Sequence, residues 1–216
     1  MMSQKTISLI LSLLLCVSLG ACKSTTTSKK TEIAPASIVQ IPNNWKQIAG
    51  EGVFLSLPEN FEGGNPQTQL DQLEAKLATV DPKYGDRIAV IKQNSKGIAL
   101  LAFDLQSARS GIITNVNVIK EELPQGTTME ASLAAATSKL GLVYEIVDQK
   151  LTYLDDNQVG RIVAEANSEG MRIKPLFYLI PDGNTIWLIT YSTTAEEFNQ
   201  RLPYFEQSIQ TFKVES

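Results

Sequence analysis

Four strand-length runs joined by short turns do most to limit what this chain can fold into. They are Val143 to Leu151, Gln158 to Ala166, Met171 to Ile180 and Thr185 to Ser192. The connections are Asp155-Asp156-Asn157, Asn167 to Gly170, and Pro181-Asp182-Gly183-Asn184. Gly and Asn tolerate positive φ, and Asx side chains hydrogen-bond their own backbone, so these are turn residues for physical reasons. A parallel pair needs a crossover of a dozen or more residues, which such turns cannot supply. The four runs therefore form an antiparallel meander.

The preceding residues extend that sheet and add helices. Trp45 and the run Val53 to Leu57 open the domain, and Pro58 ends the strand because it has no N–H to donate. Gly63-Gly64-Asn65-Pro66 reads as a loop, an N-cap and a proline at the first helical position. Leu70, Leu73, Leu77 and Val80 follow at helical spacing, closed by Asp81-Pro82. Arg87 to Ile91 and Ile98 to Leu105 read as a hairpin across Asn94-Ser95-Lys96-Gly97, and Ile112 to Lys120 as a further strand. Thr127 and Glu130 have capping-box spacing ahead of the stripe Met129, Leu133, Ala136 and Leu140, with Gly141 placed as a left-handed stop. Thr194 and Glu197 repeat the box before Phe198, Leu202, Phe205, Ile209 and Phe212, although Pro203 should kink or split that helix near Arg201. The expected class is α+β: an antiparallel sheet of about six to seven strands, with helices near 66–80, 128–140 and 195–211 each laying one apolar face on it.

The N-terminus is an address rather than fold. Lys5 precedes an apolar stretch from Ile7 to Leu19, too short for a spanning helix and of the right length for a secretory signal core. It ends in Leu19-Gly20-Ala21-Cys22, which resembles the bacterial lipoprotein lipobox. That resemblance implies a signal peptide over 1–21, a diacylglyceryl group on the Cys22 thiol and acylation of the new amine. Each buried acyl methylene contributes about 0.8 kcal/mol, so two or three chains hold far more firmly than one. Residues 22–40 are the lipidated cysteine and a polar tether, too poor in apolar side chains to fold, leaving 41–216 as a single domain.

Charge and missing residue types narrow the chemistry. The tether carries +2, while the chain from residue 41 onward has 15 basic and 22 acidic residues, a net −7 that argues against a nucleic-acid partner. There is no histidine, so imidazole ligands, histidine-based nucleophilic catalysis and a histidine pH switch are excluded. Of two cysteines, Cys16 leaves with the signal and lipid consumes Cys22. No thiol would remain for a disulfide, for catalysis or for metal.

Several residues together resemble the PsbP-like family, including its bacterial lipoprotein branch. They are Trp45 before a strand ending Ser56-Leu57-Pro58, the strand from Gly111 to Gly126 with its Asn115-Val116-Asn117-Val118 core, and the meander with Gly160-Arg161 and Leu176-Phe177-Tyr178. The last is a terminal helix running Tyr204 to Val214. The resemblance spans roughly 41–214. It implies an α/β/α sandwich around the antiparallel sheet and an extrinsic, non-catalytic protein; the best-known members attach to the lumenal side of photosystem II and assist its oxygen-evolving centre or its assembly. Some members carry histidine-containing metal sites. This chain has no histidine, so no metal residue is carried over and no cofactor is expected.

Other constellations have plainer explanations. Asp155-Asp156-Asn157 lacks the alternating ligands and distal Glu of an EF-hand, and Asp182-Gly183-Asn184 likewise reads as a turn. Asp104, Glu165 and Glu169 could serve glycoside cleavage only as two carboxyls about 5–9.5 Å apart across a cleft. Ser138 and Lys139 are adjacent on a helix and do not face each other. Asn115 and Asn117 share a strand face and either line a small polar pocket or meet water. Arg172 and Lys174 alternate on one strand, and Arg161 can join them from its neighbour. These three are either an ordinary solvated face or a basic patch for an anionic partner. The leading expectation is a lipid-anchored extracytoplasmic binding protein, held to the membrane through Cys22. It would serve a protein partner as an accessory or assembly factor for a membrane complex, of photosystem II type in a photosynthetic organism. A ligand-binding envelope lipoprotein and a carboxylate-dependent envelope hydrolase are the alternatives.

Overall fold

The structure is a computed structural model, and it describes residues 41–82, 84, 88, 91–92, 95–107, 112–168 and 170–215. The signal, Cys22 and the tether lie outside the described residues. The elements run β1 (Trp45–Ala49), β2 (Val53–Pro58), β3 (Phe61–Gly64), α1 (Pro66–Val80), β4 (Ile98–Asp104), β5 (Asn115–Glu122) and α2 (Met129–Leu140). They continue with β6 (Glu145–Leu154), β7 (Asn157–Ser168), β8 (Met171–Ile173), β9 (Leu176–Asp182), β10 (Thr185–Ser192), α3 (Phe198–Ile209) and β11 (Lys213–Val214).

The meander forms as expected and becomes the larger part of an eight-stranded antiparallel sheet, ordered β3-β4-β5-β10-β9-β7-β6 with β8 paired to β7. A separate three-stranded sheet runs β1-β2-β11. Strand parity sorts the side chains into layers, since successive residues point to opposite faces. Val116, Val118, Val159, Val163, Tyr178 and Ile189 face the small sheet and the α3 residues Phe198, Phe205 and Ile209, with Phe212 just beyond the helix. On the opposite face α1 lays Leu70, Leu73 and Leu77 against Leu101 and Phe103, while α2 lays Leu133 against Ile162, Phe177 and Leu179. The fold is α+β, a sandwich with helices on both sides of an antiparallel sheet.

Local chemistry fixes the helix starts. Asn65 accepts a hydrogen bond from the Gln67 amide at 2.8 Å and Pro66 occupies the first turn, as the sequence predicts. The cap of α2 is Thr128 rather than Thr127: Thr128 accepts from the Ala131 amide, and the Thr127 hydroxyl is spent on the Pro124 carbonyl. Gly141 is right-handed, with φ −61°, because the chain continues through further turns in which Val143 and Tyr144 donate to the Leu140 carbonyl. Thr194 does accept from the Glu197 amide at 3.3 Å, but α3 begins only at Phe198.

Helix α3 passes through Pro203 unbroken. Pro203 and Asn199, whose carbonyl loses its helical partner, both lie on the exposed side, where that loss costs least.

Three strand assignments change. Ile88, Ile91 and Lys92 are helical, so the expected first arm of the 87–105 hairpin is not a strand among the described residues. Ile88 is buried against the α1 leucines, and a short apolar run does not distinguish a strand from a buried helix. Gly63 and Gly64 belong to β3, not to a loop: a β-carbon on Gly63 would stand 2.1 Å from the Leu101 carbonyl oxygen, so only glycine lets β3 approach β4. The 171–180 run splits at Lys174-Pro175 into β8 and β9. Pro175 has no amide to donate, and the Lys174 amide turns instead to the Thr193 carbonyl at 2.8 Å.

Candidate functional site

Of the three cations singled out in the sequence, Arg161 and Arg172 lie on strands and Lys174 lies in the link between β8 and β9. Arg161 sits in β7 opposite Tyr178 of β9, and that register places it on the face that α3 covers. Glu165 has the same parity on β7. Arg172 lies in β8, and Lys174 follows β8 directly. The side chains of Arg172 and Lys174 both reach Glu165, the latter at 2.9 Å.

Arg161 is only 7% exposed. Its guanidinium donates to Asp148 of β6 and to Glu206 of α3, each at 3.1 Å. It stitches the sheet to the helix above it, and burial pushes the Tyr178 phenol up, an effect that the nearby Arg161 guanidinium partly opposes. Lys174 lies 5.0 Å from the centre of the Phe198 ring, a cation–π contact. Each of the three cations thus has a carboxylate partner, and the patch is a neutralised network rather than a field of free positive charge. Arg172 is the member that remains mostly exposed.

Hydrogen bonds from Lys174 and Arg172 hold the Glu165 carboxyl below the usual carboxylate range. A carboxyl with a depressed folded-state pKa stabilises the fold above its ordinary pKa and loses that contribution as pH falls through the folded value. The melting temperature should therefore fall more steeply from about pH 5 to pH 3 in the natural chain than in Glu165→Gln. Parallel melting curves across that range, read by circular dichroism, check this.

The sequence did not single out a second ionic cluster. Asp104 ends β4 and is 1% exposed. Its carboxylate accepts from Arg201 Nη1 at 2.7 Å, from the Gln106 amide at 2.9 Å and from the Asn60 carboxamide. Arg201 Nε also donates to Glu197 at 2.6 Å. Burial alone would depress Arg201, yet Glu197 and Asp104 together hold it above its ordinary value. The one sequence signal was a carboxylate closing the apolar strand IALLAFD.

These pairings bear on the carboxylates weighed for glycoside cleavage. Asp104 stands on β4 and Glu165 on β7, with β5, β10 and β9 between them. Four strand spacings are about 19 Å, well beyond the separation that chemistry uses. Both are paired with cationic side chains, and Glu169 lies outside the described residues. Among the described residues, no group of three or more histidine, cysteine or acidic side chains is placed to hold a metal. Asp155 takes the left-handed conformation, φ 51°, at the tip of the β6–β7 hairpin. Asp182 accepts from the Trp187 indole at 3.3 Å.

Asn115 donates to the Ile113 carbonyl, and by register both it and Asn117 face the α1 and α2 side. Neither lines the larger described depression, of about 210 Å³, which lies where Leu154, Asp155, Ile180, Asp182 and Phe212 meet at the hairpin-turn end of the sheet. That volume is below the range of ordinary small-molecule pockets. No helix among the described residues is long and apolar enough to cross a membrane.

An antiparallel sheet faced by two helices on one side, and by a third helix with a small sheet on the other, defines a PsbP-like fold. Among solved structures, cyanobacterial PsbP from Synechocystis sp. PCC 6803 superposes with a TM-score of 0.52 at 12% identity, over 85% of this chain and 98% of that one. LpqN of Mycobacterium tuberculosis, described as involved in cell envelope biogenesis, superposes with a TM-score of 0.50 at 9% identity, over 80% and 91%. No protein-family model matches the chain, and neither does any curated protein. Identities this low show a shared fold.

Proposed function

We propose that this protein is a lipid-anchored, extracytoplasmic, non-catalytic binding protein that presents its domain to a membrane complex as an accessory or assembly factor. The observation that carries the reading is the likeness to cyanobacterial PsbP along nearly that protein's whole length. The likeness to a protein of cell envelope biogenesis agrees with an envelope location. The lipobox-like Leu19 to Cys22 supplies the anchor. The tether sets the reach, roughly 5–6 Å × √n for n flexible residues, and the resulting local concentration makes a weak interface sufficient. Arg172 offers the exposed contact, with Lys174 beside it. Arg161 acts behind them by fixing α3 to β7. A photosystem II complex is the partner if the organism is photosynthetic.

The test is crosslinking and recovery of the lipidated protein from its own membranes. The natural chain should stay with membranes through a high-salt wash, leave only with detergent, and carry a defined partner. Cys22→Ser should move to the soluble fraction; if it stays fully membrane-bound, the anchor is wrong. Arg172→Gln combined with Lys174→Gln should lower partner recovery without releasing the protein from the membrane. Unchanged recovery would remove these two residues from the interface.

A further inference from the structure

Strand β6 is the edge of the large sheet. It pairs with β7 along one side, and among the described residues nothing hydrogen-bonds its other side. The opposite edge, β3, is four residues long; β6 is ten. A long edge is a ready template for another strand, and folds that keep such an edge solitary blunt it with charge and bulges. β6 has a bulge between Ile146 and Asp148 and one lysine, Lys150. Yet the apolar side chains at this edge are not withdrawn. Val147 is 50% exposed, Tyr153 64%, and Leu142, in the turn leading into the strand, 77%.

The charges on the strand also have a particular order. Asp148 and Lys150 flank Gln149 symmetrically. In an antiparallel pair of identical strands centred on Gln149, Asp148 of each copy stands opposite Lys150 of the other. Opposite charges directly across a strand pair are favourable, and like charges unfavourable. A shift of the centre by one residue, to Lys150, would set two lysines against each other. Among the described residues Lys150 makes no ion pair, and Asp148, though bonded to Arg161, keeps acceptor capacity on its carboxylate. A two-fold axis perpendicular to the sheet preserves its faces, so α2 of each copy lies on the same side of the seam.

We propose that β6 is a self-association edge: a second copy of this chain pairs antiparallel through Gln149, forming an isologous dimer with one continuous sheet. This does not depend on lipidation or on the identity of any partner complex.

A site-specific crosslink in the full-length chain tests it. Gln149→Cys lies on the proposed axis, and a short bismaleimide should join two copies. Lys96→Cys, in an exposed turn at the far side of the sheet, is the control, and the parent chain sets the background. The Gln149→Cys protein should give a homodimer band several-fold above both. Adding Lys150→Asp, which places Asp148 opposite an aspartate, should return the band to background, with an unchanged circular dichroism spectrum showing that the fold is intact. A Gln149→Cys band no stronger than the Lys96→Cys band would overturn the proposal. So would a crosslink from Gln149→Cys to a different protein, or a dimer that survives Lys150→Asp unchanged.

Discussion

Asp104→Ala should cost about 3 kcal/mol of folding stability, at the lower end of what breaking a buried ion pair costs because Arg201 retains some contact with water. For a domain of this size that is a fall in melting temperature of about 6–12 °C. The loss exceeds a simple deletion because Arg201, the Gln106 amide and the Asn60 carboxamide all point at the vacated carboxylate. Replacing both partners, Asp104→Leu with Arg201→Met, should recover part of the loss, since the two most buried charges go together and only the more exposed Glu197 loses its partner. Chemical denaturation of the two single variants and the double gives the coupling directly. A coupling near zero would mean that the pair is ornamental.

Phe205→Ala should be at least as damaging, at about 3–5 kcal/mol. Phe205 is fully buried and stacks on Tyr191 at 4.9 Å between ring centres. Tyr191 in turn hydrogen-bonds Ser208, which donates to the Ser56 carbonyl. The ring therefore holds α3 against both sheets. Because Glu206 is its neighbour, loosening the helix also loosens the Arg161 pair described above. Phe205→Leu, which keeps most of the volume, should cost less than about 1.5 kcal/mol. Denaturant midpoints at constant slope distinguish the two.

Regular periodicity was what made the fold legible. The meander, α1 and α2 show in the spacing of their apolar residues, because those side chains answer to one nearby face. The features that the sequence hid depend on distant contacts. β3 reads as a loop because its two glycines are explained only by the closeness of β4. Ile88 and Ile91 read as strand because a short buried run has the same letters in either conformation.

The candidate site was half visible for the same reason. The alternation of Arg172 and Lys174 is local, and the structure does bring both to Glu165. Arg161 looked equally available, but its carboxylates come from 13 residues before it and 45 after it. Nothing in the strand that carries it announces either.

The small sheet has a consequence for how the chain must be made. Its central strand, β2, is among the first parts of the domain to leave the ribosome, while β11 is among the last. The Ser56 backbone makes hydrogen bonds to Thr211 and Ser208, 155 and 152 residues further on. Such a closure cannot form while the chain is still being threaded. The small sheet would thus stay incomplete until β11 has been made. Joining strands so far apart in the chain makes its completion a late event in folding.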